Sequence, residues 1–198
     1  VANQESLVAA AQDYIARVGL PDIVIANAGV SVGTLTEYAA DLPAFQCVLQ
    51  TNVLGMVATF QPFVALMRKA ERGKLVGIAS VAGIRGLPGA GAYGASKAAV
   101  ISYLESLRVE LRGSGMEIIT LCPGYIETPM TAVNRYRMPF ILSADEAARR
   151  IAIAIAHGTS YAVIPWQMAL VAKLMRLLPN ALYDRLAARV GRKPRGLL

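Results

Sequence analysis

Residues 19–29 read Gly-Leu-Pro-Asp-Ile-Val-Ile-Ala-Asn-Ala-Gly, and the architecture turns on how this stretch is read. Gly19 and Pro21 close the segment before them, since glycine accepts the backbone past a helix end and proline cannot continue one. The segment 22–26 reads as a strand, apolar without alternation once past Asp22, the mark of a parallel strand covered on both faces. Upstream, Ile15, Val18 and their neighbours predict a helix over 4–18. Two further runs, 74–79 and 116–121, have the strand's character, and 161–164 is a fourth, shorter one. Between the first two lies helical periodicity over 43–72, carried by Phe45, Leu49, Val53, Met56, Val57 and Phe60, with Gly73 placed to stop it. A second long helix spans 93–112 and closes at Gly113. Ser143 with Glu146 three residues on reads as a capping box that opens a helix running to His157. Strands alternating with helices give an α/β, doubly wound parallel sheet in one domain over 1–198. No internal repeat is visible.

Composition narrows the function classes. Of 198 residues, 55% are hydrophobic and 17% charged, a globular balance that excludes disorder and low complexity. The net charge of +7 is unevenly placed: residues 165–198 hold seven Lys and Arg against one Asp, leaving +1 for the rest. A nucleic-acid reading of the whole chain therefore fails, and aromatics interleaved with the cations stop at Tyr183. Cys47 and Cys122 are too few for a disulfide framework and read as buried small apolar residues in a reducing, cytoplasmic setting. No apolar run reaches about 18 residues without Gly, Pro or a charge, so no transmembrane helix is expected. The chain opens on Val1 rather than Met, which places the translation start upstream.

In open parallel sheets, ligands gather beyond the carboxyl ends of the strands. There the chain places Asn27-Ala28-Gly29, then Ser80, then Pro123-Gly124 with Thr128 a few residues on. Tyr93 and Lys97, four apart on one helix, face the same way at about 6 Å. A cation at that spacing stabilises a phenolate, which lowers the tyrosine's pKa from near 10 toward the range where a general acid/base works. A Tyr followed four later by Lys is by itself an ordinary solvated pair, and Asn52 by itself an ordinary polar residue on a helix. No cluster with metal-ligand spacing is present, and His157 suits a helix C-terminus.

Taken together, Asn27-Ala28-Gly29, Asn52, Ser80, Tyr93-x-x-x-Lys97 and Pro123-Gly124-x-x-x-Thr128 resemble, in order and spacing, the short-chain dehydrogenase/reductases. The resemblance covers nearly the whole chain. It implies a Rossmann-like fold, NAD or NADP as cofactor, and hydride transfer between the nicotinamide and a carbonyl or alcohol. By that resemblance Tyr93 exchanges the proton at the substrate oxygen and Ser80 holds that oxygen. Lys97 lowers the Tyr93 pKa and binds the nicotinamide ribose, and Asn52 holds a water that relays protons. Asn27, Ala28 and Gly29 line the adenosine side, and Pro123, Gly124, Ile126 and Thr128 line the nicotinamide side. A homodimer or homotetramer through the helices around Asn52 and after Tyr93 is implied as well.

The family opens on a strand and a glycine-rich turn that cradles the pyrophosphate, and this chain does not. Roughly 60 residues, two βαβ steps, are expected to precede Val1 in a longer protein, with the first strands and the choice between NAD and NADP among them. Arg135 and Arg137 lie before the Ser143 cap, where they either grip an anion or sit in solvent, while Tyr136, Met138, Phe140 and Ile141 suggest an apolar lid and a hydrophobic substrate. Residues 166–178 are apolar nearly all round, and Leu182, Leu186 and Val190 continue a stripe beside Arg185, Arg189, Arg192, Lys193 and Arg195. That basic segment needs a cover: its own subunit, another copy, or an anionic membrane surface touched peripherally. A non-catalytic sensor or scaffold of the same fold is the alternative to an enzyme.

Overall fold

A computed structural model describes residues 1–134 and 136–196. The elements run α1 (Gln4–Val18), β1 (Ile23–Ala26), α2 (Leu42–Leu49), α3 (Gly55–Lys69), β2 (Gly73–Ile78), α4 (Gly91–Glu110), β3 (Met116–Pro123), α5 (Pro129–Ala132), α6 (Ala144–Ala156), β4 (Tyr161–Ile164), α7 (Trp166–Leu177) and α8 (Asn180–Ala187). The four strands lie in the order β1-β2-β3-β4, all parallel, with Val24 opposite Leu75, Leu75 opposite Ile118, and Leu121 opposite Ala162.

Register sorts the side chains onto two faces. Val24, Ala26, Leu75, Ile118 and Cys122 pack with Met56, Phe60, Val100 and Leu104 of α3 and α4. On the other face Val76, Ile119, Leu121 and Ile164 meet Ile151 and Ile155 of α6. The α/β layering expected from the sequence is thus present. At β1, Ile23 and Ile25 are exposed at 43% and 48%. Among the described residues β1 pairs with β2 alone, and α6 covers β3 and β4 but does not reach it.

The helix expected over 43–72 is broken into α2 and α3 by a π turn at Gln50–Leu54. Such turns add a residue and re-aim the side chains around them, and they recur at functional sites. The whole stretch Ala39–Lys69 is long and apolar enough to cross a membrane by length and composition, although Pro43, Gly55 and Pro62 interrupt its apolar runs. Here part of it packs on α4 and β1, through Val48, Met56 and Phe60, while Leu42, Leu54 and Leu66 stay exposed. The Ser143 cap is half of the expected box: its Oγ accepts from Glu146 N at 3.3 Å. The Glu146 carboxylate instead binds Arg149 and Arg150, which hold it down at about 2. Two guanidiniums outcompete one backbone N–H. Cys122 is buried as expected, whereas Cys47 is exposed, because α2 turns Val48 inward and Cys47 lies a hundred degrees around from it.

Candidate active site

The strand ends open where the backbone ladder runs out, with Ala79 N donating to Leu121 O at 2.7 Å and Gly124 N to Ile164 O at 2.8 Å. Beyond them lies a cleft of about 450 Å³ lined by Asn27, Ala28, Gly29, Ser80, Tyr93, Lys97, Pro123, Gly124, Ile126 and Thr128. Every catalytic or cofactor-binding candidate from the sequence except Asn52 is among them. A larger groove of about 720 Å³ lies on the outer side of α3 and α4, lined by Val57, Val64, Arg68 and Tyr103 among others, far from these strand ends. It gathers no convergent polar set.

Small residues bring the parts together. After β2, Ser80 caps a 3-10 turn at Val81–Gly83 by accepting from Ala82 N at 3.2 Å. That turn rests on α4 so closely that a Cβ on Gly83 would lie 2.6 Å from the Lys97 carbonyl carbon. Only glycine permits this, and it sets Ser80 beside the first turns of α4. The Ser80 hydroxyl donates to Pro123 O at 3.4 Å and lines the cleft together with Tyr93, whose pKa it acts to lower. Chain residues 89–94 spell Gly-Ala-Gly-Ala-Tyr-Gly, literally a dinucleotide fingerprint, but no strand precedes them and the Ala92 N–H there is taken by Thr34 Oγ1 at 3.2 Å. This helix end is no phosphate cradle.

Lys97 is buried, and its Nζ donates to Ile78 O at 2.7 Å, 5.7 Å from the centre of the Tyr93 ring. Burial pulls its ammonium down to about 8. Tyr93 corrects the expected electrostatics: its pKa is raised, not lowered. Loss of water around the hydroxyl is the largest cause, partly offset by the Ser80 hydrogen bond. The ammonium is turned to the Ile78 carbonyl, so desolvation wins over charge pairing. Burial also pushes up the Cys122 thiol behind Lys97, whose Sγ sits 3.4 Å from the Tyr161 hydroxyl.

Asn52 works from behind the cleft. Its Oδ1 accepts from Val30 N at 2.8 Å, while Nδ2 donates to Val30 O at 3.0 Å and to Ser96 Oγ at 2.9 Å. Ser96 in turn donates to Tyr93 O at 2.8 Å. The π turn therefore ties the Asn27-Ala28-Gly29 loop to the α4 turn that carries Tyr93. Ser96 was missed in the sequence; a hydroxyl inside a helix between Tyr93 and Lys97, back-bonding three residues, was its signal.

The segment after β3 is closed at its neck, where Glu127 N donates to Leu142 O and Leu142 N to Tyr125 O at 2.9 and 3.0 Å. Within it, α5 starts at Thr128 with a capping box to Thr131 and Pro129 at its first turn. Thr-Pro was a legible start signal. Tyr125 and Tyr136 meet edge to face at 6.3 Å, and burial pushes Tyr136 up to about 12. Arg137 is exposed, a solvated loop arginine, and Arg135 lies outside the described residues. His157 caps the end of α6, and among the described residues no His, Cys, Asp and Glu cluster suits a metal.

A bound nicotinamide and its ribose would suit this cleft on physical grounds. Lys97 has one acceptor, leaving two of its N–H groups to offer, and a Cβ on Gly29 would stand 3.3 Å from Asn52 Oδ1 and 3.6 Å from Lys97 Nζ, closing the space. Comparison with known proteins agrees. The short chain dehydrogenase family pattern matches residues 1–138. An uncharacterized oxidoreductase of Myxococcus xanthus (strain DK1622) is 38% identical over 175 residues, 88% of this chain and 69% of that protein. A 2-dehydro-3-deoxy-L-rhamnonate dehydrogenase (NAD(+)) of Sphingomonas sp. (strain SKA58) is 37% identical over 130 residues, 66% of this chain and 52% of that one. A short chain dehydrogenase from Burkholderia cenocepacia J2315, solved in complex with NADP, shares the fold at TM-score 0.79 and 24% identity over 93% of this chain and 75% of its own. The chain thus spans between half and three quarters of these proteins, and it belongs to the short-chain dehydrogenase/reductase family.

Proposed function

We propose that the whole protein is an NAD(P)-dependent oxidoreductase that interconverts a carbonyl and an alcohol, with Tyr93 as its general acid/base. The convergence of Ser80, Tyr93 and Lys97 on one cleft carries the reading. A cofactor-binding sensor or scaffold has no need of a proton donor and a hydroxyl clamp aimed at one point. The nicotinamide, when bound, supplies the hydride. In reduction, the Tyr93 O–H gives its proton to the substrate oxygen while the Ser80 O–H donates a hydrogen bond to the same atom. In oxidation, the Tyr93 phenolate takes the proton back. Burial makes Tyr93 a weak acid by itself, so charge must build beside it before the proton leaves, and the Lys97 ammonium is placed to balance it. Lys97 also offers its free N–H groups to ribose hydroxyls. Asn27, Ala28, Gly29, Pro123, Gly124, Ile126 and Thr128 would line the cofactor. Asn52 uses both side-chain N–H groups on Val30 and Ser96, so a relay water there would meet its backbone or the remaining lone pair of Oδ1.

Tyr93→Phe in the full-length protein is the test. Turnover should fall on the order of 10² to 10⁴-fold with cofactor affinity nearly unchanged; full turnover, or a defect confined to cofactor binding, overturns the assignment.

Two further features extend the reading. Leu54, Leu66 and Val109 are exposed on the outer side of α3 and α4 beside the larger groove, which supports an isologous contact with a second copy. On α7 and α8 one face is anchored, through Met168, Ala172 and Ala187, and by Arg85, which donates to Leu178 O at 2.7 Å and lies 3.9 Å over the Tyr183 ring. The other exposes Trp166, Leu170, Leu174, Leu177, Leu182 and Leu186 beside exposed Lys173, Arg185 and Arg189. An anionic membrane surface complements both the apolar stripe and the cations, giving a cytoplasmic protein in peripheral contact with lipid.

A further inference from the structure

We infer that Lys193 binds a carboxylate of the substrate, in a small cavity above Ser80 and Tyr93; this deepens the oxidoreductase reading and rests on it. Residues past α8 return across the molecule as a strap. Pro194 O accepts from Gly33 N at 2.9 Å, and Arg195 forks onto the Asp41 carboxylate at 2.7 and 2.9 Å while lying 3.6 Å over the Tyr38 ring. The strap passes so near the loop after β1 that a Cβ on Gly33 would stand 2.2 Å from Lys193 O. Docking is thus built into the backbone as well as the charges.

The strap carries Lys193 inward, where it is 9% exposed and lines a cavity of about 90 Å³ with Ser80, Tyr93, Met130, Asn134 and Tyr136. Its Nζ reaches a single acceptor among the described residues, Met130 O at 3.5 Å, and no carboxylate. Across the same cavity Asn134 Oδ1 is buried without a hydrogen-bond partner among the described residues. A buried ammonium and a buried amide oxygen left so poorly satisfied both disfavour the folded chain, and each is relieved by a ligand that supplies what is lacking. An anion meets Lys193, and a hydroxyl or amide hydrogen meets Asn134. The space holds about three waters' worth of volume, enough for a carboxylate. Tyr93 and Ser80 at the cavity edge place the reacting carbonyl a few bonds from that carboxylate, so the substrate class is a short oxo acid or its hydroxy acid. Arg137, the cation that the loop sequence suggested, is exposed and lines no part of this space.

The test uses the full-length protein and measures binding by calorimetry with NAD⁺ or NADP⁺ present, where no hydride can pass to a ketone, and turnover separately with NADH or NADPH as the hydride donor. Acetoacetate is compared with acetoacetamide and with acetonylphosphonate. Wild-type protein should bind the acid more tightly than the amide on the order of 10- to 100-fold, Lys193→Met should erase that preference without weakening the amide, and Lys193→Arg should keep most of it. Equal affinity of wild type for acid and amide overturns the proposal, as does a preference for the phosphonate or a Lys193→Met variant that retains the acid preference. Acid-selective binding without any turnover would leave the carboxylate site standing and fell the oxidoreductase reading instead.

Discussion

The stretch from Ser80 to Lys97 and the pair α7 and α8 treat their polar and apolar groups in opposite ways. In the first, Gly, Ala and Ser let backbones touch, and the polar residues Ser80, Ser96 and Lys97 are buried, only 7%, 0% and 4% exposed. In the second, large side chains such as Trp166, Leu174 and Leu177 stand 62% to 72% exposed. Each reverses the usual placement, and each departure is informative where an exposed leucine alone would not be. Buried polar groups here converge on one point, as the proposed chemistry requires; exposed apolar groups spread along helix faces, as the proposed contact requires.

The strongest way to break this contrast is mechanical. Leu104→Ala, in the buried part of α4, should cost about 2–5 kcal/mol in chemical denaturation of the full-length protein, while Leu174→Ser on α7 should stay within about 0.5 kcal/mol. A large loss from Leu174→Ser would mean that its face is covered after all.

A pH series sharpens the same point. The Lys97 ammonium is held at about 8 against 10.5 when unfolded, so below pH 8 both states carry the proton and the folded state bears the full burial penalty. Between pH 8 and 10.5 the unfolded chain binds more protons, and wild-type stability gains relative to a variant without the lysine. Lys97→Met should therefore be the more stable protein at pH 7, by about 1–3 kcal/mol, and the gap should close as pH rises toward 10. A gap that does not change with pH would show that Lys97 is not held against its charge.

The smallest expected effect concerns α7 and α8. Vesicles containing phosphatidylserine should float the protein at low salt and release it as ionic strength rises, and Trp166, the sole tryptophan among these 198 residues, should report the contact by a blue shift. Leu170→Ser with Leu174→Ser should abolish both while the denaturation midpoint holds. If the pair of substitutions instead dissociates a dimer seen by light scattering, a second copy covers this face and lipid does not.

Much of this was legible in one dimension. The four strand runs, the helix over 4–18 and the site residues at strand ends could be read because a parallel strand is continuously apolar, a helix repeats every 3.6 residues, and ligands meet carboxyl ends of strands. Spacing placed Tyr93 and Lys97 on one face because that is a property of the helix alone. Tertiary structure decided what depends on distant neighbours. The π turn at Asn52 exists because its side chain clamps Val30, twenty-two residues away, and Tyr93 is a weakened acid because of what excludes water around it. Lys193 became a candidate ligand only when a strap anchored by Asp41 brought it over Tyr93. Local periodicity is written residue by residue, whereas burial, and every pKa that follows from it, belongs to the packed chain.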